Sequence, residues 1–190
     1  MMSRTEIRLS GFGGQGIILA GYILGKAAAL YDHRHATMTQ NYGPESRGGA
    51  CSAQVIVADM PVSYPHLTQT QVLVAMSQEA YTKYVGEMAQ DGLLVVDEDL
   101  VRLETSGAPA LVYAIPATRI AEQELGRKMV ANIVMLGCLA ALHSAVSAEA
   151  LQQAVRESVP KGTEAFNIEA FRRGYAYGQG LQQGRNERTQ

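Results

Sequence analysis

Apolar residues along the chain fall in blocks, and the blocks alternate between short strand-like runs and longer helix-like stretches. Ile7 to Ser10 predicts a short strand that runs straight into Gly11-Phe12-Gly13-Gly14-Gln15-Gly16. Ile17 to Leu30, rich in Ala, Leu and Ile and free of proline, predicts a helix. His35 to Gln40 and Cys51 to Ala58 read as strands, joined by the turn-forming segment Asn41 to Gly49 as a long-looped hairpin. Met60 to Leu67 holds two prolines and reads as irregular. Gln71 to Met76 predicts a buried strand, after which Ser77 caps a helix to about Gln90. Asp91-Gly92 reads as a turn, and Leu93 to Val96 as a strand ending at the acidic cluster Asp97-Glu98-Asp99.

Leu111 to Ile115 predicts a further strand, stopped by Pro116. Thr118 is placed to cap a helix to about Leu125, ended by Gly126. Val130 to Ser144, Ser147 to Val159 and Thr163 to about Tyr177 predict the last helices. A strand, a glycine turn and a helix, followed by alternation, is the order of an α/β domain. The fold class expected is a three-layer α/β/α sandwich on a mostly parallel sheet, mixed if the hairpin forms, with a Rossmann-like glycine turn. One domain spans residues 1–178, and 179–190 is expected to be a disordered tail.

Composition narrows the function classes. Apolar residues make up 47% and charged residues 18%, enough for a packed core, and the net charge is -2. That balance does not suggest nucleic acid as a partner, and Arg172-Arg173 reads as a solvated helix face. The two cysteines, Cys51 and Cys138, lack metal-ligand spacing and read as reduced thiols in a cytoplasmic chain. The start of the sequence shows no signal peptide, and Val130 to Leu142 is too short to span a bilayer, so no membrane association is expected.

Gly11, Gly13 and Gly16 fit G-x-G-x-x-G between a strand and a helix. Glycines let the turn tighten, and the helix start offers free N–H groups and the positive end of a dipole. The acid that a dinucleotide site needs at the end of the second strand is missing, since that strand ends at Thr39-Gln40-Asn41 and Asp32 precedes it. Three readings remain open for Gly11, Gly13, Gly14, Gln15 and Gly16: a tight packing turn, a phosphate site, or a seat for a partner's acidic group. In the second loop, Pro44 stiffens the chain, Gly43, Gly48 and Gly49 permit close approach, and Arg47 offers a planar fork for carboxylate or phosphate. Tyr42, Gly43, Pro44, Glu45, Arg47, Gly48 and Gly49 are therefore candidate ligand- or interface-facing residues, beside the plainer reading of a Glu45–Arg47 pair that satisfies itself. Whether the two loops meet depends on strand directions that the sequence does not fix.

No catalytic constellation is visible, and no metal site is assigned. His33-x-His35 places two imidazoles on one strand face without a third ligand, and Asp97-Glu98-Asp99 reads as a solvated turn. Two cysteines cannot supply the four thiolates of an iron–sulfur cluster.

The two loops together carry a resemblance. IRLSGFGGQGIILAGYILG from Ile7 to Gly25, followed by YGPESRGG from Tyr42 to Gly49, resembles the γ subunits of 2-oxoacid:ferredoxin oxidoreductases. Pro116-Ala117-Thr118 with Ile120-Ala121, Asn132 with Leu136-Gly137, and Asn167 with Ala170-Phe171 and Gly174 agree with it. Met38-Thr39-Gln40 and Ala75 to Tyr81 look most like the 2-oxoglutarate branch. The resemblance implies a non-catalytic subunit of a CoA-acylating enzyme that oxidises a 2-oxoacid to an acyl-CoA and CO2 and reduces ferredoxin. It implies α, β and ferredoxin-like δ partner subunits that hold thiamine diphosphate, Mg²⁺ and iron–sulfur clusters, with no cofactor bound by this chain alone. It leaves this chain to support assembly and the CoA side of the site. An isolated copy is expected to be able to dimerise and to be inactive. Indolepyruvate-type, pyruvate and branched-chain relatives stay open as alternatives, as do a pure scaffold and a free-standing nucleotide-binding oxidoreductase. The last of these predicts that the lone chain binds NAD(P) or FAD.

Overall fold

The computed structural model describes residues 3–42, 50–104 and 111–188. Among them, six strands form one sheet in the order β2-β3-β1-β4-β5-β6. The strands are β1 (Arg4–Phe12), β2 (His35–Tyr42), β3 (Ala50–Ala58), β4 (Thr70–Ala75), β5 (Met88–Asp97) and β6 (Leu111–Ile115). β1, β4, β5 and β6 run parallel, whereas β3 is antiparallel to both β1 and β2, so the sheet is mixed. The parallel strands read as near-continuous apolar runs because both faces of the sheet are covered.

One face is covered by α1 (Ile17–Lys26), α3 (Ala117–Arg119), α4 (Ala131–Leu142), α5 (Ala148–Ser158) and α6 (Glu164–Arg188). Ile7, Leu9, Val55, Val72, Val74 and Val95 point into this layer. On the opposite face α2 (Gln78–Tyr84) packs over Leu73, Ala75, Leu94 and Val96. The three layers are therefore unequal. Beneath the thin layer the face of β1 and β3 is polar and buried: Arg8 lies on the Tyr84 ring at 4.1 Å and pairs with Glu87 at 2.7 Å.

α4 and α6 cross at backbone contact. A Cβ on Gly174 would run into the Val134 carbonyl oxygen, and one on Gly137 would come within 2.8 Å of the Tyr175 nitrogen. The Cys138 thiol donates to the Gly174 carbonyl at 3.0 Å across this seam. Burial pushes the Cys138 thiol up to about 12, the state of an inert core thiol.

Several boundaries depart from the sequence reading. The helix after Ser77 ends at Tyr84, with a tight turn to Glu87, and β5 begins at Met88. Asp91-Gly92 is thus inside a strand. Gly92 is needed there because a side chain would press on the Ala89 and Gln71 carbonyls at about 3 Å, beside a register shift against β4. Thr118 does not cap α3; Pro116 precedes the helix and Thr118 bonds Asp97 instead. His33 sits in a left-handed turn (φ 54) before β2, so His33 and His35 do not share a strand face. α6 continues through 179–188, where the sequence reading places a disordered tail, and Leu181 in that stretch still packs on the core.

Candidate functional site

The carboxyl ends of β1, β4, β5 and β6 lie along one edge of the sheet, the place where open α/β sheets bind ligands. β1 delivers the glycine turn to this edge, and α1 leaves from it. Gly14 (φ 96) and Gly16 (φ 72) both adopt left-handed backbone that favours glycine. A side chain at Gly16 would also collide with the Asn132 amide. Gln15 locks the turn: its Oε1 accepts from the Phe12 N–H at 2.6 Å, and its Nε2 donates to the Met76 carbonyl beyond β4 at 2.8 Å. The turn is thereby fixed to two strands, with the free N–H groups of the α1 start held open.

Two clefts flank the turn and share Gly14 and Met129. The first, about 230 Å³, is lined by Gly16, Arg127, Asn132, Thr163, Phe166 and Asn167 among others. The second, about 220 Å³, is lined by Gln15, Thr118, Lys128 and Ala131 as well. Among the described residues no Asp or Glu lines either one, while Arg127 and Lys128 do. Added to the α1 dipole, this makes the edge attractive to an anion. Met129 stands between the clefts with 83% of its surface exposed. Arg127 lies over the Phe166 ring at 5.2 Å, which holds its guanidinium at the mouth.

Asn132, buried on α4, donates its Nδ2 to the Gly16 carbonyl at 3.1 Å and leaves Oδ1 without a partner. A buried acceptor in that state is costly unless something from the cleft reaches it. Asp97 ends β5 fully buried, contrary to the solvated turn expected for Asp97-Glu98-Asp99. Burial pushes its carboxyl up, and hydrogen bonds from Thr118 and the Asp99 N–H pull against that. Glu98 and Asp99 are partly exposed and pair with Arg119.

The antiparallel pairing places Tyr42 opposite Cys51, and Gly11 opposite Cys51 on the other side. Both ends of the second loop, Tyr42 and Ala50, therefore lie at the same sheet edge as the glycine turn, with Ala50 directly opposite Phe12. Tyr42 is 62% exposed there. Gly43, Pro44, Glu45, Arg47, Gly48 and Gly49 lie outside the described residues. Of the first loop, Gly14, Gln15 and Gly16 line the clefts, Gly13 is exposed, and Gly11 is buried beneath them.

Sequence reasoning passed over Arg127, Lys128, Met129 and Phe166. The available signal was two adjacent basic residues just after Gly126, a turn glycine with φ 70. Only the crossing of α4 beneath α1 shows that this turn faces the site. The sheet order also departs from a dinucleotide fold, since β1 lies between antiparallel β3 and parallel β4, and β2, the strand next in sequence, does not pair with it.

A family model described as pyruvate ferredoxin/flavodoxin oxidoreductase matches residues 6–177. The 2-oxoglutarate synthase subunit KorC of Methanocaldococcus jannaschii is 53% identical over 175 residues, 90% of this chain and 92% of that protein. Among solved structures, the γ subunit of a keto/oxoacid ferredoxin oxidoreductase from Geobacter sulfurreducens superposes with a TM-score of 0.84 at 42% identity. It covers 93% of this chain and 97% of its own. The 2-oxoglutarate:ferredoxin oxidoreductase of Magnetococcus marinus, solved with 2-oxoglutarate, coenzyme A and succinyl-CoA bound, superposes with a TM-score of 0.83 at 26% identity. It covers 93% of this chain and 31% of that longer chain.

Proposed function

On the premise that this chain belongs to the pyruvate ferredoxin/flavodoxin oxidoreductase family, we propose that it is the γ subunit of a 2-oxoglutarate:ferredoxin oxidoreductase and forms the coenzyme A side of its site. The complex converts 2-oxoglutarate and CoA to succinyl-CoA and CO2 and passes two electrons to ferredoxin. The subtype rests on the 53% identity to a 2-oxoglutarate synthase subunit across nearly the full length of both chains. Thiamine diphosphate with Mg²⁺ and the iron–sulfur clusters, held by α, β and δ partner subunits in the cytoplasm, supply the decarboxylation and electron transfer. This chain has two cysteines in all, too few for the four thiolates of an iron–sulfur cluster.

The observation that carries the CoA assignment is the pair of clefts around the α1 start, lined among the described residues by Arg127 and Lys128 and by no acid. Phosphate oxygens suit the free N–H groups of the turn, with Lys128 and Arg127 beside them. The Asn132 Oδ1 is left for a donor on the same ligand, such as an amide N–H or an amino group. Arg47, whose loop springs from Tyr42 and Ala50 at this edge, adds a fork for a further phosphate.

The test is steady-state kinetics of the assembled enzyme. Lys128→Ala and Arg47→Ala are each expected to raise the KM for CoA by roughly ten- to a hundredfold, the effect of one charge-assisted hydrogen bond, with kcat and the KM for 2-oxoglutarate held. An unchanged KM for CoA in both variants removes the assignment.

A further inference from the structure

Asp97 is wholly buried, yet donors from the walls of the site engage both of its oxygens. Oδ2 accepts from the Thr118 N–H at 3.0 Å and from Thr118 Oγ1 at 2.7 Å; Oδ1 accepts from the Asp99 N–H at 3.1 Å. A backbone N–H can only donate. Each oxygen of this side chain thus faces an obligate donor, a demand that a carboxylate meets and an amide does not.

The consequence reaches the second cleft through Thr118, which lines it with Gly14, Gln15 and Lys128. A hydroxyl has one proton and two lone pairs. The Thr118 proton is committed to Asp97, so toward the cleft this hydroxyl can only accept. Asn132 does the same in the first cleft, where its amide is committed to Gly16 and its oxygen is left over. The Gly14–Gly16 turn, rich in donors, is therefore flanked by an acceptor on each side.

We propose that Asp97 is a positioning residue for CoA binding. It fixes the direction of the Thr118 hydrogen bond, so the second cleft offers an acceptor to a neutral O–H or N–H of the ligand beside the phosphate-binding turn. The inference rests on the CoA reading above. CoA fits the pattern because its phosphates are followed on one side by hydroxyl and amide groups and on the other by sugar and base donors.

The test uses the assembled oxidoreductase with Asp97→Asn, Thr118→Val and Thr118→Ser, and Lys128→Ala as the reference. Asparagine keeps the shape of Asp97 but places an NH2 group against one of the N–H donors or against the Thr118 hydroxyl, which then reverses. Asp97→Asn and Thr118→Val are each expected to raise the KM for CoA about three- to tenfold, with kcat and the KM for 2-oxoglutarate within about twofold. Thr118→Ser, which keeps the hydroxyl, should restore the parental KM. If Asp97→Asn does not assemble, the contrast between Thr118→Val and Thr118→Ser decides. A KM for CoA unmoved by Thr118→Val while Lys128→Ala raises it overturns the role of Asp97 and leaves the CoA reading standing. Should Lys128→Ala and Arg47→Ala leave it unmoved as well, both fall. Equal losses in kcat and in both KM values make Asp97 a fold residue and overturn the proposal.

Discussion

Glu6 is a carboxylate on a strand in the middle of the sheet, and donors surround it. Its Oε2 accepts from the Thr68 and Gln69 N–H groups at 2.5 and 2.9 Å, and its Oε1 from Thr68 Oγ1 at 2.8 Å and from Arg4. Burial pushes the carboxyl up, but the hydrogen bonds from Gln69, Arg4 and Thr68 outweigh it, and the net shift is downward from 4.5. The folded state therefore holds this proton less tightly than the unfolded chain. The stabilisation is fully present above the unfolded value and is lost as the pH falls through the folded one. Urea midpoints should drop on acidification below about pH 4.5, and the drop should be smaller in Glu6→Gln. Equal drops would mean that other groups carry the acid sensitivity. At this scale the sequence was legible where one residue type has few uses. Gln15 and Gly16 could be picked out before the fold was known, because a glycine turn opening a helix restricts what can stand there. Arg127 and Asp97 could not: a surface arginine and a strand-end acid are common, and what distinguishes them is burial and the element that packs against them.

The elements were readable to the extent that hydrophobic period decides them. β1, β3, β4 and β6 and the long helices α4 and α5 follow from their apolar blocks, and Ser77 caps α2 as expected, accepting from the Ala80 N–H at 3.2 Å. The reading failed between Tyr84 and Gly92, where a polar stretch with helical composition joins the sheet because β4 offers a ladder beside it. α4 and α6 show a different limit. Gly137 and Gly174 cost helix propensity, and the reason is the crossing, at which any side chain meets backbone. Gly174→Val is therefore expected to force α6 off α4 and to cost about 1–3 kcal/mol or more. Thermal or urea unfolding of the isolated chain measures it. A variant as stable as the parent would show that the helices part without penalty.

Over the whole molecule, the arrangement that matters is the mixed sheet. Because β2 and β3 form a hairpin antiparallel at β3, the second loop starts and ends at the carboxyl edge, where the glycine turn already lies. Sequence reading could name both loops and suspect the hairpin, but the sheet order depends on long-range pairing that no local signal carries. The same topology separates the chain from dinucleotide enzymes that share its glycine pattern, since on the side away from parallel β4 the neighbour of β1 is antiparallel β3, and the strand next in sequence, β2, does not pair with β1. What results is an edge whose described lining offers Arg127 and Lys128 and no carboxylate, attractive to an anion.

The most direct test is reconstitution. CoA-dependent reduction of ferredoxin by 2-oxoglutarate is assayed with the purified chain alone, with its partner subunits alone, and with all of them together. The account predicts turnover by the full set, loss of it when this chain is omitted, and recovery on adding it back. Turnover of a substrate by the lone chain with a bound nicotinamide or flavin, or undiminished activity without it, would contradict the account.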